Sequence, residues 1–237
     1  MPVQRPGRGA GAKTIEEEGL TNLAQVLAHR IRGLVTGIEG FVDLLIDTLG
    51  TREQRELALR IFESASRIER VLSDLQRYSK PVRPALRPVQ VHVLLEEALL
   101  TLAEADQERI RLDVRTSGCN ITADPMLLRQ ALLVLLQNAL DATRHEGNVC
   151  LSAICHPADR VLRFEVQNDG TIDLPDAEVQ VFTPFFTTKA HNLGVGLSIA
   201  QRIAEAHGGS LRLAANGDEQ GTVFTLALPL ESVAEEA

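Results

Sequence analysis

The 237-residue sequence contains no apolar run approaching the ~20 residues needed to cross a bilayer, and its most apolar stretch, around 131–136, falls far short of that. The arginines near its amino end are not followed by an apolar core, which excludes a secretory signal of the usual form. Cysteine is scarce. Cys119, Cys150 and Cys155 are odd in number and no two have Cys-x-x-Cys spacing, so neither a disulfide framework nor a zinc site is expected, and all three read as small core residues. An excess of positive charge is also missing. At a net charge of −8 the chain has no general polyanion surface, which excludes a nucleic-acid partner held by neutralised phosphates. A cytoplasmic location without a membrane span is the expectation. What is present, 44% hydrophobic and 24% charged residues, describes an ordinary globular protein of one or two domains.

Residues 1–13 combine glycine, proline and arginine with almost nothing apolar, a composition that cannot offset the entropy of ordering, so a disordered tail is expected there. No sensor domain is expected ahead of Thr14. From that residue the pattern turns helical. Thr14 with Glu17 forms a possible capping box, and Leu20, Leu23, Leu27, Ile31, Leu34, Ile38, Phe41 and Leu45 recur at three and four as a narrow apolar stripe up to a stop at Gly50. Thr51 with Gln54 opens a second helix with Leu57, Ile61, Ala65, Ile68, Leu72 and Leu75 on one face, up to Tyr78. Two such helices and a short turn make an antiparallel hairpin over 14–80. One hairpin leaves its stripe half exposed, so a homodimeric four-helix bundle is expected.

Pro81, Pro84 and Pro88 mark a linker over 81–88. An α/β unit follows over 89–232. Its expected elements are a helix from Val93 to Ala105, a strand from Ile110 to Val114, and a long buried helix from Asp124-Pro125 to Thr143, with Asp as N-cap and Pro at the first helical position. Strand character returns at Val149 to Ile154, Val161 to Val166, Ser210 to Ala214 and Val223 to Leu228. The fold class is α+β: a hairpin, then a two-layer α/β sandwich.

The chemistry-bearing residues gather along the second unit. In the run 181–209 an apolar Phe/Pro patch leads to Lys189, then to Gly194-Val195-Gly196-Leu197 and an amphipathic helix. Gly194 and Gly196 can take positive φ and let backbone N–H groups close on a ligand at a helix N-terminus, which suits phosphate. The plain alternative is a tight loop before a surface helix. Asn138 and Asp141 share one face of a helix that is otherwise apolar, and Asn168-Asp169-Gly170 follows a strand as a turn would. His92, His145, His156, His191 and His207 show no metal spacing and read as surface or helix-end residues.

Taken together, the runs Phe182-Thr-Pro-Phe-Phe-Thr-Thr-Lys189, Gly194-Val-Gly-Leu197, Asn138-Ala-Leu-Asp-Ala142 and the stretch from Ala28 to Phe41 resemble the sensor histidine kinases of two-component systems. The resemblance covers about 20–230 and implies a dimerising hairpin with an H box, then a Bergerat-type ATP-binding domain. It implies His29 as phosphoacceptor, Asn138 as an oxygen ligand to Mg²⁺, and Asn168 and Gly170 at the adenine. Lys189, Gly194, Gly196 and Leu197 would stand at the phosphates of ATP. A response-regulator aspartate would take the phosphoryl group. Departures are visible. Arg30, Gly33 and Leu34 replace the usual acid, Asn or Thr, and Pro, and Val134 stands where many members have a second Asn or His. Asn168 and Ile172 replace an Asp and a Gly, and Asn192 another Gly. A neutral amide accepts a weaker hydrogen bond than a carboxylate, so weakened adenine affinity is expected. The rival reading is a histidine phosphotransfer or scaffold protein with a non-catalytic nucleotide domain. An ATPase of the gyrase, heat-shock or mismatch-repair type lacks such a hairpin.

Overall fold

The computed structural model describes residues 31–46, 49–116, 121–143, 147–189, 193–217 and 221–230. The readings of residues 1–13, of the Thr14 capping box and of His29 and Arg30 lie outside them. The chain divides into two compact units, a helical hairpin and an α/β unit spanning Val82–Phe186 and Gly194 onwards, with Thr187–Leu193 falling outside the α/β unit.

In the hairpin, helix α1 occupies 31–46 and α2 Arg52–Ser79. Thr51 opens α2 with a complete capping box, its hydroxyl accepting from Gln54 N–H at 3.2 Å and the Gln54 side chain accepting from Thr51 N–H at 3.3 Å. Arg32 meets Gln76 (3.0 Å) and Glu69 (3.5 Å), whereas Glu39, two turns on, accepts from Ser66 (2.9 Å), so the helices run antiparallel. Among the described residues, those buried within one hairpin are Val35 and Val42 on α1 and Ala58, Ala65 and Leu72 on α2. All are spaced by seven, the period of a supercoiled seam. Most of the stripe read from the sequence lies beside this seam rather than in it. Ile31, Leu34, Ile38, Phe41 and Leu45 are exposed, Leu34 and Phe41 by 70% and 69%, and so are Leu57, Ile61 and Ile68 on α2. A three-four pattern marks a broad apolar face, and one neighbouring helix covers only its small-residue edge.

The α/β unit places α3 (Val91–Leu100), α5 (Pro125–Ala142) and α7 (Gly196–Ala206) with a five-stranded mixed sheet in the order β2-β4-β5-β7-β6. The strands are β2 (Ile110–Arg115), β4 (Val149–His156), β5 (Val161–Asn168), β6 (Ser210–Gly217) and β7 (Gly221–Pro229). Only β2 and β4 pair in parallel. Its core is leucine-rich: Leu128, Leu132, Leu135 and Leu136 of α5 are sealed with Leu94, Leu95, Leu151, Leu162, Phe164, Ile203 and Leu226.

Four differences from the expected elements stand out. Arg87–Val89 (β1) pair antiparallel with Ile121–Ala123 (β3), so the stretch read as a linker over 81–88 carries the first two residues of a strand. Pro88 is tolerated there because the ribbon has only two strands. The helix expected from Val93 to Ala105 begins at Val91 and ends at Leu100, with a separate turn, α4, over Glu104–Gln107. Thr101 turns its hydroxyl back onto Glu97 O (2.9 Å), and Leu102 N–H bonds Leu99 O in a tightened last turn. A one-turn helix, α6 (Ala177–Gln180), had no expected counterpart. Finally, Cys150 is a free, half-buried thiol but Cys155 is disulfide-bonded, which corrects the expectation that no disulfide would form; Cys119 lies outside the described residues. Spacing tests only local pairs. Here the parallel register sets Arg115, the end of β2, opposite Ile154, next to Cys155, and brings distant segments together.

Candidate nucleotide site

The C-terminal half of α5 forms a rail along which most of the candidate residues collect. Asp124 starts that helix, accepting from Met126 N–H (2.9 Å) and Leu127 N–H (3.2 Å) through one carboxylate oxygen and from Ala85 N–H (2.9 Å) through the other. Its own N–H donates to His207 Nε2 (2.9 Å), while His207 Nδ1 donates to Ile203 O (2.7 Å) at the end of α7. His207 is thus a half-buried tie between the two helices. Burial opposes ionisation of Asp124, but the N–H bonds from Ala85, Leu127 and Met126, with His207 nearby, hold its carboxyl below the usual range.

At one end of the rail, Gly194 takes φ +72° and a Cβ there would fall onto Phe186 O, so only glycine fits this turn. Gly196 does not use that freedom; it is the first residue of α7. Its missing side chain serves packing instead, since a Cβ would lie 3.2 Å from Val134 Cγ1. Val134, which replaces a polar residue of the resembled family, therefore fills the space against the turn. No side chain caps α7, unlike α2 and α5, so the N–H groups of its first turn, including Leu197, can meet an anion. Phe185 N–H donates to Gly194 O (3.0 Å), tying the Phe/Pro patch to the glycine turn across the loop that carries Lys189. Phe185 holds φ +67°, a sparsely populated conformation for a residue with a side chain. Behind it Phe182 stacks edge-to-face on Phe224 at 6.1 Å. Lys189 is half-buried, and its N–H donates to Thr187 Oγ1 at 3.0 Å.

Asn138, half-buried, follows Val134 by one turn on the same face of α5, and Ala142 follows Asn138 by another. Asp141 accepts from Gln137 at 3.2 Å. At the far end of the rail a Cβ on Gly170 would come 2.9 Å from Ala142 O and 2.8 Å from Asn168 Nδ2. Asn168 closes β5 with only 2% of its surface exposed, and among the described residues its Nδ2 has no hydrogen-bond partner. Val134 and Ala142 are about 12 Å apart along the axis, enough for a nucleotide to lie from base to phosphates. The orphaned amide, the side-chain-free cradle and the uncapped helix suit such a ligand. Mg²⁺ fits as well, because it keeps several waters and takes one or two protein oxygens plus phosphates, and Asn138 offers one. Among the described residues no His/Cys/Asp/Glu cluster could hold a metal alone.

Three contributors were not singled out from sequence. Thr222, buried on β7, stands directly across from Asn168 in register and donates to Gly170 O (2.7 Å). Asn216 on β6 grips Ile172 twice, accepting from its N–H (2.7 Å) and donating to its carbonyl (2.8 Å). Phe185 completes the set. The dipeptide Gly221-Thr222 at the start of the last strand was the available signal for Thr222; nothing local marks Asn216 or the backbone of Phe185.

Residues 20–82 match the family described as the His Kinase A (phospho-acceptor) domain, and residues 123–232 the histidine kinase-, DNA gyrase B- and HSP90-like ATPase. The chain is 33% identical over 213 residues to the sensor histidine kinase ZraS of Salmonella typhimurium, covering 88% of this chain and 45% of ZraS. It is 32% identical over 224 residues to the signal transduction histidine-protein kinase AtoS of Escherichia coli, covering 91% and 36%. It therefore spans less than half the length of these relatives. Among solved structures, full-length ShkA in complex with AMPPNP superposes with a TM-score of 0.72 at 29% identity, over 89% of this chain and 46% of ShkA. The histidine kinase ThkA in complex with the response regulator protein TrrA gives 0.62 at 26%, over 89% and 61%. Among the described residues no helix is long and apolar enough to cross a membrane. A phospho-acceptor hairpin followed by a glycine-turn ATPase sheet, matched in sequence and in fold, makes this chain a member of the sensor histidine kinases of two-component systems.

Proposed function

We propose that the chain is an ATP-dependent protein-histidine kinase core that phosphorylates His29 and passes the phosphoryl group to an aspartate of a response regulator. The observation that carries this reading is the α5 rail, which gathers Asn168 and Gly170 at one end, Asn138 in the middle and the Gly194–Gly196 turn at the other. Asn168 orients the base. The first-turn amides of α7 and the charge of Lys189 hold phosphate oxygens, and Asn138 supplies an oxygen to Mg²⁺, which when bound neutralises phosphate charge. In the transfer, the bond between the γ-phosphorus and the bridging oxygen breaks, a phosphorus–nitrogen bond forms at the imidazole, and ADP leaves as the imidazole loses its proton. Positioning and charge neutralisation supply most of such catalysis. A neutral imidazole is a competent nucleophile near pH 7 because its ordinary pKa is ~6.5. The exposed apolar stripe of the hairpin supports a homodimer, and dependence on ATP supports a cytoplasmic site of action.

Incubation with γ-labelled ATP and Mg²⁺ tests the reading. The expected label is stable in base and lost in acid, as befits phosphohistidine, and it disappears in Asn138→Ala together with most of the Mg-ATP affinity. An unlabelled wild-type protein would favour the phosphotransfer or scaffold reading, to which Arg30 and Asn168 lend support.

A further inference from the structure

We propose that the base end of this site accepts guanine as well as adenine, so that GTP competes with ATP. The inference rests on reading the α/β unit as a nucleotide site and concerns Asn168. That side chain is 2% exposed, and its buried Nδ2 has no hydrogen-bond partner among the described residues. An unmet buried donor is destabilising, so a ligand offering an acceptor is favoured there.

A carboxamide carries one acceptor and a donor pair on a single planar group. Adenine shows on its six-membered edge an amino donor beside the N1 acceptor. Guanine shows at the same two places an oxo acceptor beside the N1–H donor. Asn168 can pair with either edge in bidentate fashion, exchanging its donor and acceptor by a half-turn of the amide. A carboxylate at this position could only accept, and it would set negative charge against the guanine oxygen.

The surroundings permit that exchange. Gly170 leaves the space next to Nδ2 clear, since a Cβ there would stand 2.8 Å away. The adjacent carboxylate of Asp169 is engaged with Asn148 N–H at 3.2 Å. Thr222 uses its one hydroxyl proton on Gly170 O (2.7 Å). The loop beyond is pinned by the double bond of Asn216 to Ile172. The loop is thus held by bonds that do not involve the Asn168 amide.

The test displaces a fluorescent ATP analogue from the full chain with Mg-ATP or Mg-GTP, for wild type and for Asn168→Asp. The expected wild-type affinity for GTP lies within about tenfold of that for ATP, and Asn168→Asp raises the preference for ATP about tenfold or more, the scale of one bidentate base contact. If ATP displaces the probe and GTP does not, the inference fails while the kinase reading stands. Equal selectivity in wild type and Asn168→Asp would also overturn it. Should neither nucleotide displace the probe, both readings fail. Thermal melting of Asn168→Asp checks its fold, and if that variant is unfolded the wild-type ratio alone decides.

Discussion

The hairpin and the α/β unit solve the problem of burial in opposite ways. Among the described residues of the hairpin those sealed within one chain are two valines, two alanines and a leucine, while Leu34, Phe41, Leu44, Leu57 and Ile61 face outward. In the α/β unit the sealed residues are mostly leucines, with Phe164 among them. Apolar burial is worth roughly 25 cal/mol per Å², so the second unit is stabilised by its own core, whereas the first holds its largest apolar side chains in reserve. A structure whose biggest hydrophobic groups are presented rather than buried is completed by association. The difference separates the units: one presents its large apolar side chains, the other buries them.

The largest effect is expected from charging the presented face. Leu34→Asp combined with Phe41→Asp should convert a dimer into a monomer by sedimentation, with the affinity for an ATP analogue unchanged. A dimer that persists would break the contrast between the units.

A rate comes next. General-base assistance is worth typically 10²–10⁴-fold, and Arg30, whose guanidinium stays protonated, cannot supply it. Arg30→Glu should therefore speed autophosphorylation, by about 10–100-fold if the new carboxylate takes up part of that role. Gly33 is exposed with open space around it and has no side chain to hold a water, so little phosphatase activity toward a phosphorylated regulator is expected. Initial autokinase rates and a regulator dephosphorylation time course check the pair.

The smallest effect falls on the α/β unit. Asp124→Ala removes the N-cap of α5 and should cost about 1–2 kcal/mol by denaturant unfolding, independent of protein concentration, as a self-contained core requires. Because the folded carboxyl is held below the ordinary value by its backbone donors, its contribution is complete above about pH 4. It is lost as pH falls through the lower folded value. Wild type and Asp124→Ala should accordingly converge in strong acid.

Much of the fold could be read locally, for physical reasons that also explain the misses. Asp124-Pro125 announces α5 because capping and proline geometry act within a few residues, and Thr51 with Gln54 announces α2 in the same way. The turn at Gly194 is legible because it depends on one residue's φ. By contrast, β1 and β3 are three residues each, too short to show a period, and only their mutual pairing makes them strands. The end of α3 at Leu100 has no glycine or proline to signal it. Thr222 meets Asn168 through strand register, and Asn216 reaches Ile172 across 44 positions; neither pairing exists in any window of sequence. The stripe of the hairpin was legible as half exposed, but a three-four pattern does not say which edge of a broad face a single neighbour will cover.

The most direct test of the account compares wild type with His29→Ala for labelling by γ-labelled ATP and, in parallel, for affinity toward an ATP analogue. Loss of all label with unchanged affinity is the expected result, since His29 precedes the α/β unit that carries the proposed base and Mg²⁺ contacts; undiminished labelling of His29→Ala would contradict it.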